Sequence, residues 1–139
     1  MLKEIRHIGI VVNDLDIAVK FYLKLGFKIC SLGNLTSKIC KKLYGNKGIK
    51  GITYIKLKIP SKNCMLELYC LSKNSNDYNK YSLTHISFTV ENINVIWKLL
   101  KHYRISKEIV LIDNHKLFFA RDPDRNLLEL VQPLIKRKK

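Results

Sequence analysis

No run of about 18 apolar residues occurs in this chain, which leaves no candidate for a membrane-spanning helix. The opening stretch, MLKEIRHIGIVV, carries charge and passes straight into a strand pattern, without the small-residue cleavage site of a secretory signal. A cytoplasmic location is the expectation. Cys30, Cys40, Cys64 and Cys70 form no C-x-x-C pair and no zinc-finger spacing. They are expected to be reduced thiols, with Cys64 and Cys70, in or beside an apolar strand, acting as small hydrophobes.

Acidic residues are scarce as well: 11 Asp and Glu stand against 26 Lys and Arg, a formal charge of +15. Of the 26 basic residues 21 are lysine, scattered over nearly every polar segment, so the excess reads as compositional bias rather than a built nucleic-acid face. Clustered arginine and interleaved aromatics, which base reading usually needs, are missing, and no specific nucleic-acid partner is expected. The diffuse positive field favours small anionic ligands. The one basic cluster is the tail KRKK.

What is present is a 139-residue chain, 47% hydrophobic, enough for one compact domain over 1–139. Alternation predicts a strand over IRHIGIVV, and ND caps a helix over LDIAVKFYLKLG. In that helix Leu15, Ala18, Val19, Tyr22 and Leu25 recur at helical spacing before Gly26 stops it. FKICSLG, ITYIKLKIP and CMLELYCL read as further strands, with TSKICKKLYGNKG as a short helix and loop between the first two. The polar stretch SKNSNDYNKYS reads as a linker over 72–82. Beyond it come a strand (LTHISFTV), a helix (ENINVIWKLLKHY) with Ile93, Ile96, Trp97 and Leu100 on one side, and three strands, KEIVLI, HKLFFAR and NLLELVQP.

Both halves thus run strand, helix, strand, strand, strand. HIGIVVNDL (7–15) aligns without gaps with HISFTVENI (85–93), and MLEL (65–68) matches LLEL (127–130) in the fourth strand of each half. The chain is an internal duplication. Because side chains alternate across a strand, Ile8, Ile10 and Val12, and likewise Ile86, Phe88 and Val90, are expected to pack under the helices. Leu66, Leu68, Leu128 and Leu130 share that side. His7, Glu67, His85 and Glu129 then share the opposite face, with Val11, Tyr69, Ser87 and Thr89. A carboxylate in an apolar strand is costly unless paired or bound to a cation, and two imidazoles with two carboxylates make a charge-balanced set for a divalent ion. His102, at a helix end, and His115, in a turn, lack duplicated partners and read as surface residues.

HIGIVVNDLDIAVKFYLKLGFKI, CMLELY, THISFTVENI and FFARDPDRNLLELVQP together resemble the vicinal oxygen chelate superfamily. It includes lactoylglutathione lyase (glyoxalase), methylmalonyl-CoA epimerase, extradiol dioxygenases, and fosfomycin and bleomycin resistance proteins. The resemblance implies an α+β fold of two tandem βαβββ modules, about 4–71 and 83–133, forming a cupped open sheet around a metal site, commonly in a homodimer. The basic tail is 134–139. It places His7, Glu67, His85 and Glu129 on the family's metal-ligand positions, for zinc, nickel, cobalt or manganese, with iron less favoured. The implied activity is that of a metal-dependent lyase or isomerase of the glyoxalase type. Two neighbouring oxygens of a small anionic substrate bind the ion, and an enediolate is stabilised while Glu129 or Glu67 moves a proton. Alternatives are an epimerase-like isomerase, an extradiol-type dioxygenase, and a non-catalytic antibiotic or small-molecule binder.

The motifs also depart from the subfamilies. Val11 stands where glutathione-using bacterial lyases usually carry arginine, and Leu71 where they tend to have asparagine. GITYIKLKIP offers no glutamate of the kind the epimerases use. DPDR replaces the frequent DPDG, and Arg125 is expected to alter that turn, because a side chain adopts a positive φ at a cost. SKICKKLYGNKG is expected to cover the site, its lysines being candidates for holding an anion.

Overall fold

The computed structural model describes residues 1–45, 48–61, 63–75, 80–121, 123 and 125–134. The KRKK tail and the middle of the 72–82 linker lie outside them, as do Lys62 of PSKN, Asp122 and Asp124 of DPDR, and Asn46 and Lys47.

Among these residues the duplicated sequence becomes a duplicated order of elements. The first half runs β1 (Leu2–Val11), α1 (Leu15–Lys24), β2 (Lys28–Thr36), α2 (Ser37–Tyr44), β3 (Gly51–Lys58) and β4 (Met65–Leu71). The second runs β5 (His85–Val90), α3 (Ile93–Leu99), β6 (Val110–Ile112), β7 (His115–Arg121) and β8 (Leu127–Pro133). All eight strands form one sheet, ordered β2-β3-β4-β1-β5-β8-β7-β6. In each half the first strand pairs in parallel with the fourth, β1 with β4 and β5 with β8. The halves join where β1 and β5 run antiparallel at the centre, and this brings both histidine-bearing strands side by side.

Local chemistry sets the helices. The Asp14 side chain accepts from the Ile17 N–H at 2.9 Å, and Asp16 and Lys24 complement the dipole of α1. Gly26, at φ 96°, reverses the chain after α1 at a conformation costly for any other residue. Asn92 caps α3 through the Asn94 and Val95 amides. Leu15, Ala18, Val19 and Tyr22 of α1 cover Leu57, Leu66 and Leu68, while Ile93, Ile96 and Trp97 of α3 cover Phe118, Ala120 and Leu130. These two clusters form the convex side of the sheet.

Four expectations change. Ile10 and Val12 pack under α1, but Ile8 and its cross-strand partner Ile86 are 42% and 40% exposed, because they fall in the gap between the two helix-covered clusters. Leu25 is exposed, since α1 ends before it. α3 stops at Leu99, so His102 lies in the following turn rather than at a helix end. Cys64 is exposed, and the thiol that packs as a core hydrophobe is Cys40; all four cysteines are free.

The DPDR turn retains a left-handed residue: Arg125 stands at φ 72°. Such a conformation costs a non-glycine residue about 1–2 kcal/mol. The Arg125 carbonyl accepts from Arg121 Nη1 at 2.8 Å, a bond that ties this turn to β7.

α2 is the element the duplication lacks in its second half. Thr36 caps it through the Ile39 amide, and Cys40, Leu43 and Tyr44 are buried on the concave side with Tyr54, Tyr69, Phe119 and Val131. Its C-terminal end is fastened to the second half. Ser106 Oγ donates to the Leu43 carbonyl at 2.6 Å and accepts from the Phe119 amide at 2.8 Å, and the Lys107 amide donates to the Lys42 carbonyl at 2.9 Å. The segment is therefore a packed plug in the cup rather than a covering loop. Lys38 and Lys41 are exposed, and Lys42 pairs with Glu108.

Candidate metal centre

The parallel pairing of β1 with β4 sets Gly9 opposite Glu67, and the antiparallel pairing of β1 with β5 sets Gly9 opposite His85. His7 lies opposite Ser87, and Ser87 opposite Glu129. Four strands thereby deliver His7, Glu67, His85 and Glu129 to one place, where they are only 2–6% exposed. One ligating atom of each lies within 4.8 Å of the others. His7 Nε2 is 2.7 Å from Glu67 Oε2, 3.1 Å from Glu129 Oε2 and 3.2 Å from His85 Nε2. His85 Nε2 is 3.8 Å and 4.0 Å from the same two oxygens.

Ligands that share one cation at ~2.0–2.2 Å lie roughly 3–3.5 Å from each other; two of these five separations fall in that range and the others lie between 2.7 and 4.0 Å, close enough for the four groups to close on one ion. Oε2 of both glutamates is buried and, close as it is to His7 Nε2, has no well-aligned hydrogen-bond partner among the described residues, which leaves both oxygens open to a cation. His85 Nδ1 lies 2.8 Å from the Leu83 carbonyl, which only accepts. Nδ1 thus carries the proton and Nε2 presents a lone pair to the cluster, the tautomer a metal requires. The His85 ring is held between Tyr69 and Phe119, at centroid distances of 5.1 Å and 5.3 Å.

Without a cation the cluster holds a proton instead. Burial alone lowers the His7 pKa, but the Glu129 and Glu67 carboxylates outweigh it and raise it from 6.5 to about 9. Burial likewise favours the neutral acids of Glu67 and Glu129, yet the imidazoles hold both well below the usual carboxylate range. The signs fix a stability profile for chelator-treated protein. The His7 contribution is complete below pH 6.5 and lost as pH rises through about 9. The carboxylate contributions are present above their ordinary value of 4.5 and lost as pH falls below it. Urea midpoints of metal-free protein are expected to be highest between these limits and to fall on both sides. A midpoint still rising from pH 7 to 9 would contradict this arrangement.

A cavity of about 80 Å³ opens onto the cluster. Its walls include Leu43 from α2, Tyr54 and Lys56 from β3, Tyr69, and Leu117 and Phe119 from β7. Of the four side chains the sequence proposed as lining, Tyr69 borders this cavity; Val11 packs in the concave core, and Ser87 and Thr89 are buried on the same face, Thr89 donating to Glu4 at 3.3 Å. His115, expected at the surface, begins β7 half-buried at the cavity edge, its Nδ1 donating to the Asp113 carbonyl at 2.7 Å.

Sequence reasoning gave no role to Arg6, Gly9 and Lys56. Register shifts between Ile5 and His7, where Ile5 faces Phe88 and His7 faces Ser87. This bulge makes Arg6 the extra residue and turns it toward the cavity beside His7. Lys56 Nζ lies 3.7 Å from Glu67 Oε1, and Gly9 leaves room for the His85 ring. Gly9 had a legible signal: each histidine is followed two positions on by a small residue, Gly9 or Ser87, which is the position facing the other half's imidazole.

A duplicated sheet with α1 and α3 on its convex side, α2 in the cup, and two imidazoles with two carboxylates gathered there defines a class of α+β proteins with a buried cluster that could hold a cation. The family model of the Glyoxalase/Bleomycin resistance protein/Dioxygenase superfamily matches residues 4–130, and the chain belongs to that superfamily. Solved structures with the same fold include methylmalonyl-CoA epimerase from Mycobacterium tuberculosis, at 19% identity and a TM-score of 0.67 over 95% of this chain and 89% of that one. A mutant of 4-hydroxymandelate synthase from Streptomyces coelicolor matches at 11% identity and a TM-score of 0.64, over 98% of this chain but 50% of its own. A superfamily member from Vibrio splendidus matches at 15% identity and a TM-score of 0.56, over 95% and 99%. No curated protein matches the sequence. Among the described residues no helix is long and apolar enough to cross a membrane.

Proposed function

We propose that this chain is a metal-dependent lyase or isomerase in which His7, Glu67, His85 and Glu129 hold one divalent ion, zinc, nickel, cobalt or manganese. The reaction is a proton transfer at a carbon next to two neighbouring oxygens of a small anionic substrate. The convergence of the four buried donor atoms carries this reading. A bound ion would supply Lewis-acid polarisation of the two oxygens. Glu129 takes the proton. Glu129 is chosen over Glu67 on geometry: among the described residues Glu67 also has Lys56 beside it at 3.7 Å, whereas the ion-pair partners of Glu129 are the two imidazoles. Leu43, Tyr69 and Phe119 limit water access, which strengthens each charge interaction in the cavity. A dioxygenase is the weaker alternative, because iron sites of that type use two His and one carboxylate and keep more positions open.

The test is deuterium wash-in. Ion-loaded protein is incubated in D₂O with hemithioacetals, acyl-CoA thioesters and α-oxygenated acids, and exchange at carbon is followed by NMR. Exchange is expected in one of these classes, and Glu129→Gln is expected to slow it by about 10²–10⁴-fold. Ion-loaded protein that exchanges none of them would contradict the lyase or isomerase reading.

A homodimer belongs to the same proposal. Ile5, Ile8 and Ile86 form an exposed apolar strip along the central strands of the convex face, which a second copy would cover. Sedimentation equilibrium is expected to give a dimer for the parent and a monomer for Ile8→Lys combined with Ile86→Lys.

A further inference from the structure

Two cations border the cavity beside the cluster. Lys56 Nζ is 3.7 Å from Glu67 Oε1, and the Lys56 side chain is only 25% exposed. The Arg6 side chain reaches the same cavity through the β1 bulge, and its Nε is buried without a hydrogen-bond partner among the described residues. Glu67 balances Lys56 only while the cluster holds no ion. Once a divalent cation is bound, the charges of Glu67 and Glu129 are used in neutralising it, and the two cations face the cavity uncompensated. Of the other carboxylates nearby, Asp113 is exposed at the rim, and Glu4 does not line the cavity, accepting instead from Thr89.

We propose that Arg6 and Lys56 form a carboxylate subsite, so that the substrate is a compact α-oxygenated acid carrying a second carboxylate. The inference rests on the metal-dependent reading above. A cavity of about 80 Å³ holds roughly five to eight non-hydrogen atoms, at the ~10–15 Å³ one water needs, so a compact acid fills it and reaches its mouth. Lys56 lies one carboxylate away from the ion position, so the second carboxylate stands one or two carbons from the chelating oxygens. A guanidinium with a neighbouring ammonium suits a planar carboxylate, with Arg6 supplying directional N–H groups and Lys56 a point charge. A bulky thiol conjugate would have to leave most of its mass outside the enclosed part.

Zinc-loaded protein is titrated calorimetrically with malate and with 2-hydroxybutyrate, which chelate through the same 2-hydroxy acid and differ in that malate has the second carboxylate. Malate is expected to bind at least about tenfold more tightly, the gain typical of a charge-assisted contact. In Arg6→Met and in Lys56→Met, compared with the parent at equal zinc occupancy, that preference is expected to shrink toward unity. Lys58→Met, on a lysine that does not border this cavity, is expected to keep the preference. Arg6→Lys is expected to keep part of it, which separates loss of charge from a folding defect. Equal affinity for the two acids in zinc-loaded parent protein overturns the subsite and leaves the metal reading standing. Parent protein that takes up no zinc, nickel, cobalt or manganese overturns both.

Discussion

Gly9→Ala is expected to reduce divalent-ion affinity by about 100-fold or more and to destabilise the fold by about 1–3 kcal/mol. A Cβ at this position would stand 2.1 Å from His85 Cε1 and 2.4 Å from Nε2, far inside contact distance. The ring has nowhere to retreat. Its Nδ1 is bonded to the Leu83 carbonyl, Tyr69 and Phe119 flank its faces and edge, and His85 is 2% exposed. Either the imidazole is driven from the cluster or β1 and β5 separate, and both outcomes misplace Nε2. Competition with a chromophoric chelator measures the affinity, and urea unfolding the stability. Ser87→Ala at the equivalent place opposite His7 is the matched control and is expected to take up the ion normally. Wild-type affinity in Gly9→Ala would show that His85 does not need the position the structure gives it.

Phe119→Ala is expected to carry the largest loss of stability, about 3–5 kcal/mol, or on the order of 10–20 °C in Tm. The Phe119 ring is fully buried, packs at 4.8 Å from Tyr44 of α2, and stands edge-on to His85 at 5.3 Å. One side chain therefore joins the plug, the second half of the sheet and the metal cluster. Truncation leaves a cavity between elements that are already tied by the Ser106 bonds to Leu43 and Phe119 and cannot collapse freely. Since a domain of this kind has only about 5–15 kcal/mol to lose, the variant is expected to be marginal without ion. Saturating ion should restore part of the difference, because an ion bound by the folded state alone stabilises it by mass action. A variant that melts within a few degrees of the parent would place the core elsewhere.

The duplication made most of the fold legible. HIGIVV with HISFTV, and MLEL with LLEL, fixed which strands correspond and, through the period of two, that both histidines and both glutamates face one way. That argument needs unbroken alternation, and Arg6 lies where alternation breaks. Counting by twos from His7 places Arg6 on the opposite face, and only the register shift between Ile5 and His7 reveals that it points with its neighbour. Lys56 escaped for a different reason: nothing local in ITYIKLKIP distinguishes it from Lys58, and pairing with Glu67 across β3 and β4 is what selects it. In α2 the signal was present, since Ile39, Cys40, Leu43 and Tyr44 recur at helical spacing. The short helix was thus expected and is present; that its apolar side plugs the cup was not, because the lysines between suggested a cover able to hold an anion. Ile8 and Ile86 show the limit of faces as a guide to burial, because two helices of this length do not cover the whole convex side of an eight-stranded sheet.

The measurement that tests the account most directly is elemental analysis with ion titration on tag-free protein, alongside His85→Ala and Glu129→Ala. About one divalent transition-metal ion per chain in the parent, lost in both variants while circular dichroism shows them folded, is the expected result. Zinc, nickel, cobalt or manganese would agree with proton-transfer chemistry, and iron would favour the dioxygenase. A parent chain that binds none of these ions after incubation with each, or variants that bind as well as the parent, would contradict the proposal that the four buried side chains hold a metal.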